Sequence, residues 1–243
     1  MTTIVSAFIA GNNKHRDLAS YLDHGKHLLS VNRPKVIFLQ REIIGRLKDF
    51  QNEHTLFVPF EKEDLFLYGH ATAKTRLPAY RYAPKDTLEY IMVQLNKADW
   101  IKRAIKLNPY QTDRFMWVDF GLRHVFPTAE LFIRCIREAS MVNHDKVRMA
   151  GIWDINYSVN RANLHWRSTL FDRPQWFLAG GVFGGGKNKL LAFAELVEQK
   201  SRQMIAYGKI SWEVNLWYLI CLDHPDLFSI YKCDHNSTIL SRY

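Results

Sequence analysis

The first sixty residues alternate between strand-like and helix-like segments, and this alternation constrains the fold more than any other feature of the chain. Three short apolar segments that contain β-branched residues are predicted to be strands, at residues 3–9, 35–39 and 55–58. The segments between them, residues 17–29 and 42–50, are predicted to be helices. Strands that alternate with helices usually pair in parallel, so we predict an α/β fold with a mostly parallel central sheet flanked by helices.

The rest of the chain continues the mixture without an internal repeat, a Ser/Pro-rich linker or a change of composition, which favours a single domain. Asp86 and Glu89 form a capping-box pattern at the start of a long predicted helix, which Asn108 and Pro109 end. Ser211 is predicted to cap a later helix. The predicted elements are a turn at 10–13, strands at 114–119, 147–152, 175–178 and 228–231, and helices at 127–139, 190–206 and 212–221.

Composition restricts the classes of partner. Lys and Arg number 33 and Asp and Glu 24, so the net charge of +9 suits ligands that carry phosphate: nucleic acid, a nucleotide or an anionic membrane surface. No apolar run approaches the roughly 20 residues of a bilayer span, and no signal-peptide pattern opens the sequence. The three cysteines are odd in number and lack C-x-x-C spacing, so we expect buried free thiols in a reducing compartment. We therefore expect a cytoplasmic protein with no transmembrane segment.

Asp119 is the first candidate for chemistry, because it ends the apolar run at 114–118. In an open α/β sheet, ligands bind in the crevice outside the carboxyl ends of the strands. A carboxylate at that place can hold a divalent cation, and the cation can bridge a diphosphate. The alternative is an aspartate that caps the turn at Gly121 through its own side chain.

Five glycines stand within residues 180–186, and three interpretations of this segment are open. Gly181, Gly186 and Lys187 match a P-loop pattern, but Asn188 stands where that loop needs Ser or Thr for Mg²⁺. Glycines also allow a loop backbone to approach a ligand and offer it N–H groups. The third interpretation is a flexible connection between a strand and a helix.

Glu213 is the third candidate, in the first turn of the helix predicted at 212–221. The helix dipole favours an acid there on structural grounds alone, and the functional alternative is a carboxylate near the reacting carbon of a substrate. Trp212 and Trp217 flank it and either hold the apolar face of a sugar or belong to the core. His235 is a candidate ligand for a metal ion or a phosphate, with His124 a weaker one.

Six motifs in a fixed order resemble the HtrL/YibB-like family of GT-A-type glycosyltransferases. They span most of the chain, and each alone is only moderately specific. The layout is also similar to that of blood-group A/B-type transferases, in which a metal-binding Asp-x-Asp follows an apolar strand. The six motifs lie at residues 3–8, 94–97, 108–109, 115–121, 179–185 and 212–213.

The resemblance implies a single GT-A-like domain over residues 1–243, with a nucleotide-binding half at about 1–125 and an acceptor-binding half at about 126–243. It implies a glycosyltransferase that moves a sugar from a nucleotide-sugar donor, with a UDP-sugar favoured, to a hydroxyl of a glycan acceptor. The catalytic residue it implies is Glu213. The implied nucleotide-sugar-binding residues are Ala7, Phe8, Lys97, Asp119, Gly121, Gly180 and Gly181, and the implied acceptor-binding residues are Trp212 and Trp217.

The implied cofactor is Mn²⁺ or Mg²⁺, held by Asp119 and His235. The chain departs from the Asp-x-Asp pattern here, because Gly121 stands where the second carboxylate is expected. Two other functions stay open beside the transferase. One is a basic α/β module that binds nucleic acid without catalysis, whereas the transferase is expected to bind no nucleic acid. The other is a P-loop-like NTPase in which Lys187 cradles a phosphate.

Overall fold

A seven-stranded sheet forms the centre of the computed structural model, which describes residues 1–11, 17–159 and 168–243. The predicted turn at 10–13 lies partly outside these residues. The spatial order of the strands is β3-β2-β1-β4-β6-β5-β7. The strands are β1 (Thr2–Phe8), β2 (Lys35–Leu39), β3 (Thr55–Pro59), β4 (Arg114–Val118), β5 (Val147–Gly151), β6 (Leu178–Gly186) and β7 (Phe228–Lys232).

The strand directions confirm the predicted mixed α/β class. Strands β1 to β4 run parallel to one another, and β5 and β7 are also parallel. Strand β6 lies between β4 and β5 and is antiparallel to both. The sheet therefore contains strands from both ends of the chain, joined by one reversed strand.

Helices cover both faces of the sheet. The helices are α1 (Leu18–Leu29), α2 (Arg41–Leu47), α3 (Leu88–Leu95), α4 (Lys97–Leu107), α5 (Ala129–Ala139), α6 (Lys187–Ala206), α7 (Glu213–Asp223) and α8 (Thr238–Ser241). Neighbouring residues of a strand point to opposite faces, so Val5 joins the core under α3, α4, α6 and α7 while Ile4 joins the core under α1, α2, α5 and α8. Among the described residues, no helix is long and apolar enough to cross a bilayer.

The long helix predicted after Asp86 ends at Asn108 as predicted, but it begins later than predicted and is divided in two. Thr87, not Asp86, is the N-cap, and its hydroxyl accepts a hydrogen bond from the Tyr90 backbone N–H at 3.1 Å. The helix divides at the buried Asn96, whose side-chain oxygen accepts from the Phe66 backbone N–H at 3.0 Å. This bond ties the division between α3 and α4 to the segment around Phe66.

The start of α7 also differs from the prediction. Helix α7 begins at Glu213 with Trp212 at the cap position, and the predicted cap Ser211 instead donates its hydroxyl to the Phe171 carbonyl at 3.0 Å. The buried Asp86 accepts from the Trp212 indole N–H at 3.4 Å. The carboxylate that was predicted to cap α3 therefore contacts the entry to α7.

The glycine-rich segment is a strand and not a loop, which corrects the sequence prediction. Its backbone passes very close to its neighbours: a Cβ on Gly184 would lie 2.7 Å from the Phe115 carbonyl, and one on Gly185, where φ is +153°, would lie 2.4 Å from the Lys146 carbonyl. Lys187 starts α6 and its ammonium lies 2.7 Å from Asp113. Because an extended strand paired on both sides cannot wrap a phosphate, the P-loop alternative is wrong.

Candidate active site

The topology brings the ends of three strands to one edge of the sheet. Parallel pairing sets Val5 opposite Trp117, so Asp119, which directly follows β4, lies beside the end of β1. The antiparallel strand β6 starts at the same edge, where the Asp119 backbone N–H donates to the Gly181 carbonyl at 2.9 Å. A cleft of about 740 Å³ opens there, at the carboxyl ends of β1 and β4.

The cleft collects most of the side chains and glycines that the sequence singled out. Residues from the first half and the second half of the chain meet in it. Those that line it are Ala7, Phe8, Lys97, Asp119, Gly121, His124, Gly180, Gly181, Glu213 and His235.

A buried lysine joins the two candidate carboxylates. The Lys97 ammonium lies 3.1 Å from Asp119 Oδ1 and 3.0 Å from Glu213 Oε1. It also donates to the Gly180 carbonyl at 3.1 Å, so β6 supplies a third acceptor. Three elements, α4, β6 and α7, and the end of β4 thus converge on one nitrogen.

The electrostatics keep this lysine charged. Burial acts to lower the pKa of Lys97, but the charges and hydrogen bonds of Asp119 and Glu213 outweigh it and raise the pKa above its ordinary value. One ammonium between two carboxylates leaves a local charge of about −1 if both acids are ionised. The group is therefore a compact, slightly acidic cluster.

The two carboxylates differ in exposure. The side chain of Asp119 is 35% exposed, whereas that of Glu213 is 7% exposed. Asp119 Oδ1 also accepts from the Trp117 indole N–H at 2.6 Å, and the Trp117 ring stacks on Trp100 at 5.7 Å between centroids. Asp119 thus faces the cleft from a rigid aromatic support, and Glu213 lies at its floor.

Gly180 makes room for this cluster. A Cβ at position 180 would lie 2.3 Å from Glu213 Oε1 and 3.2 Å from the Lys97 ammonium. At Gly181 the nearest atoms belong to Leu122 and Ile239, at 3.0 and 3.1 Å. The glycines that were predicted to form a ligand loop instead allow a strand to pass over the glutamate.

The two predicted acceptor residues, Trp212 and Trp217, do not line the cleft. Trp217 is fully buried and packs edge-on against Phe183 and Phe193, and the buried Trp212 contacts Asp86 through its indole N–H. Helix α7 is buried on every side from Glu213 to Leu222, so aromatic residues at helical spacing serve the core. In this structure both rings belong to the core and not to the cleft.

Sequence reasoning missed several cleft residues, among them Tyr90 and Trp176. Tyr90, Gln94 and Lys97 follow one another at four and three residues, the spacing of one helical face, and that signal was present in the sequence. Burial, with the charges of Glu213 and Asp119, raises the pKa of Tyr90, so its hydroxyl keeps its proton. No such periodicity marks Trp176, which lies in an irregular segment.

The donor set does not form a complete metal site by itself. Asp119 and His235 both line the cleft, but within residues 1–11, 17–159 and 168–243 no three His, Cys, Asp or Glu side chains group around a possible ion. Burial lowers the pKa of His235, which packs edge-to-face with Trp176 at 4.5 Å between centroids. A divalent ion would need further oxygen ligands from a bound diphosphate or water.

Comparisons with known proteins identify a family and find similarities to solved structures. No curated protein matches the chain. Mouse xyloside xylosyltransferase 1 in its apo form is 12% identical, with a TM-score of 0.44 over 96% of this chain and 85% of that one. The 4-diphosphocytidyl-2C-methyl-D-erythritol synthase of Anaerococcus prevotii DSM 20548 is 8% identical, with a TM-score of 0.44 over 99% and 90% of the two chains. A family model described as a bacterial protein of unknown function, HtrL_YibB, matches residues 2–239, and the chain therefore belongs to the HtrL_YibB family.

Proposed function

We propose that this chain is a glycosyltransferase that moves a sugar from a nucleotide-sugar donor to a hydroxyl of a glycan acceptor. The observation that supports this most is the Lys97 ammonium, which bridges a partly exposed carboxylate and a buried one within a single cleft. Two carboxylates in one cleft can take different roles in a reaction when one is buried and the other is partly exposed, because the environment of each carboxylate sets its chemistry. The cleft is also large enough for a nucleotide-sized ligand.

In this proposal, residues from the two parts of the chain contact different parts of the substrates. Residues of about 1–125 supply Ala7, Phe8, Lys97 and Asp119, which would hold the nucleotide and the donor sugar. Residues of about 126–243 supply Gly180, Gly181 and Glu213, with Gly180 and Gly181 beside the donor sugar and Glu213 toward the acceptor. Lys97 lies between them, so its charge acts on the donor sugar and on the glutamate.

The reaction breaks the bond between the anomeric carbon and the diphosphate oxygen and forms a bond from that carbon to the acceptor oxygen. If the configuration inverts, Glu213 takes the proton of the acceptor hydroxyl. If the configuration is retained, Glu213 stabilises the oxocarbenium-like centre, and the departing diphosphate oxygen takes the proton of the acceptor hydroxyl. In both cases Lys97 holds Glu213 Oε1 at 3.0 Å, which fixes the direction of the carboxylate.

Mn²⁺ or Mg²⁺ belongs to this proposal as an ion that binds together with the nucleotide. Asp119 and His235 would be its protein ligands, and the diphosphate would supply the others. Bound in this way, the ion would neutralise the negative charge of the leaving diphosphate. A UDP-sugar is the favoured donor.

The test is a pair of active-site variants in assays of donor hydrolysis and sugar transfer. We expect Glu213→Gln to keep donor binding and to lower turnover by about 100-fold or more, the usual contribution of a positioned acid–base group. We expect Asp119→Ala to abolish hydrolysis and transfer. The matched controls are Glu195→Gln on the exposed face of α6 and Asp113→Ala at the opposite end of β4, which should leave both activities unchanged.

Two results would contradict the proposal. One is that Asp119→Ala binds UDP and GDP with Mn²⁺ as tightly as the wild type does. Asp119 would then not belong to the site for the metal ion and the diphosphate. The other is salt-sensitive binding of nucleic acid with no binding of any nucleotide-sugar, which would favour the non-catalytic alternative.

A further inference from the structure

Trp176 lies in the cleft, and the proposed reaction gives it no task. Trp100 and Trp117 also line the cleft, but they are 1% and 2% exposed, whereas Trp176 is 37% exposed. Among the cleft residues that the structure describes, Trp176 is therefore the tryptophan with ring surface available to a ligand. An indole left partly open in a cleft is a surface for the apolar face of a ligand.

The indole is held in place and is not a loose surface ring. Its plane stands perpendicular to the His235 ring with centroids 4.5 Å apart. Its backbone carbonyl accepts from the Trp153 N–H at 2.8 Å. A side chain that is already ordered loses little conformational entropy when a ligand binds.

A buried asparagine ties this segment to the helix that carries Glu213. The fully buried Asn215 accepts from the Gln175 N–H at 2.8 Å and donates to the Leu170 and Arg173 carbonyls at 2.9 Å. Asn215 is two residues after Glu213 on α7. The ring and the proposed catalytic carboxylate are therefore positioned by the same element.

We propose that Trp176 forms the acceptor subsite and that the acceptor group seated on it is a pyranose ring. A pyranose has a face of C–H bonds that can cover an indole and a rim of hydroxyls that a carboxylate can bind. Lying on Trp176, such a ring would direct a hydroxyl toward Glu213. This inference rests on the proposed function and replaces Trp212 and Trp217 as acceptor residues.

The experiment measures saturation-transfer NMR of methyl glucoside, galactoside, mannoside and xyloside with the full chain, UDP and Mg²⁺, because paramagnetic Mn²⁺ would broaden the sugar signals. In the wild type we expect the ring C–H protons of at least one of these sugars to receive saturation. Trp176→Ala should weaken the affinity for that sugar by about tenfold, the scale of one lost stacking contact. Trp176→Phe should recover most of the affinity. The matched control is Tyr68→Ala, which removes a 47%-exposed aromatic side chain that does not line the cleft and should change nothing.

Melting temperatures with UDP, GDP and CMP in the same samples separate this inference from the proposed function. Trp176→Ala should keep the nucleotide-induced shift of the wild type. If no nucleotide shifts any variant, the proposed function fails and the subsite fails with it. If a nucleotide binds but Trp176→Ala and wild type have the same sugar affinity, only the subsite is overturned. Binding of a serine- or threonine-containing peptide in place of every pyranoside would also overturn it.

Discussion

Lys97 is the residue on which the geometry of the site depends. Its ammonium is almost fully enclosed and lies within 3.1 Å of oxygens from Asp119, Glu213 and Gly180. Removal of one member of a buried ionic group leaves the remaining charges without a partner. The same nitrogen therefore contributes to stability and to the positions of both acids.

We predict that Lys97→Met lowers the free energy of unfolding by about 3–5 kcal/mol, because two carboxylates then face each other without a cation. Urea denaturation at neutral pH measures this. Lys102→Met is the control: its ion pair with Glu198 is partly exposed, so the expected loss is about 1 kcal/mol or less. If both variants lose the same free energy of unfolding, the buried Lys97 ion pairs contribute no more to stability than the partly exposed pair of Lys102.

Lys35 gives a prediction for pH. It is buried at the start of β2, donates to the Val31 and Arg33 carbonyls, and has its pKa lowered by burial to about 8. Between pH 8 and the unfolded pKa of 10.5, the unfolded chain binds a proton that the folded chain has released. Stability therefore rises with pH across this window.

The measurement compares urea unfolding of wild type and Lys35→Met at pH 7, 8, 9 and 10. The wild type should gain on the order of 2 kcal/mol relative to the variant between pH 8 and 10. Titrating tyrosines affect both proteins alike, so the difference isolates Lys35. A difference that stays constant with pH would mean that the lysine keeps its ordinary pKa in the folded state.

At the scale of elements, the parallel strands were predictable and β6 was not. The first three strands are short apolar runs between helical segments, and their positions followed from that pattern. Strand β6 consists largely of glycine, which disfavours a strand locally, so its sequence indicated a loop. Close approach of Phe115, Lys146 and Glu213 decides its conformation, and these contacts come from distant parts of the chain.

The steric role of β6 leads to a prediction at Gly180. Gly180→Ala places a Cβ 2.3 Å from Glu213 Oε1, so the glutamate must move away from Lys97. We expect sugar transfer to fall at least tenfold, while the melting temperature falls by only a few degrees. Steady-state kinetics and a thermal melt measure the two effects.

Gly186→Ala is the control in the same strand. A Cβ at position 186 makes only an ordinary 3.4 Å contact with the Asp145 carbonyl, so activity should be retained. If both alanine variants transfer sugar at the wild-type rate, then Gly180 does not act on Glu213.

At the scale of the whole molecule, the sequence predicted the fold class and the edge of the sheet where the site residues lie. It did not predict which side chains contact one another there. The capping pattern at Asp86 and the tryptophans around Glu213 were read locally, and tertiary packing gave them other roles. The order of the strands in the sheet was not predictable from the sequence. Strand β6 pairs with β4 and β5, and β7 pairs with β5, across long sequence separations. Trp176 carries no periodic signal in the sequence, so only the structure shows that it lines the cleft.

The central claim is that this cleft binds a nucleotide-sugar over Asp119, Lys97 and Glu213. The most direct measurement is the melting temperature of the wild type and Asp119→Ala with UDP-, GDP- and CMP-sugars, each with and without Mn²⁺ or Mg²⁺. At a ligand concentration of about 100 times Kd, binding adds roughly 2.7 kcal/mol, a shift of about 5–10 °C for a chain of this size. We predict such a shift for at least one donor with a divalent ion, and its loss in Asp119→Ala. No shift with any donor, or the same shift in both proteins, would contradict the account.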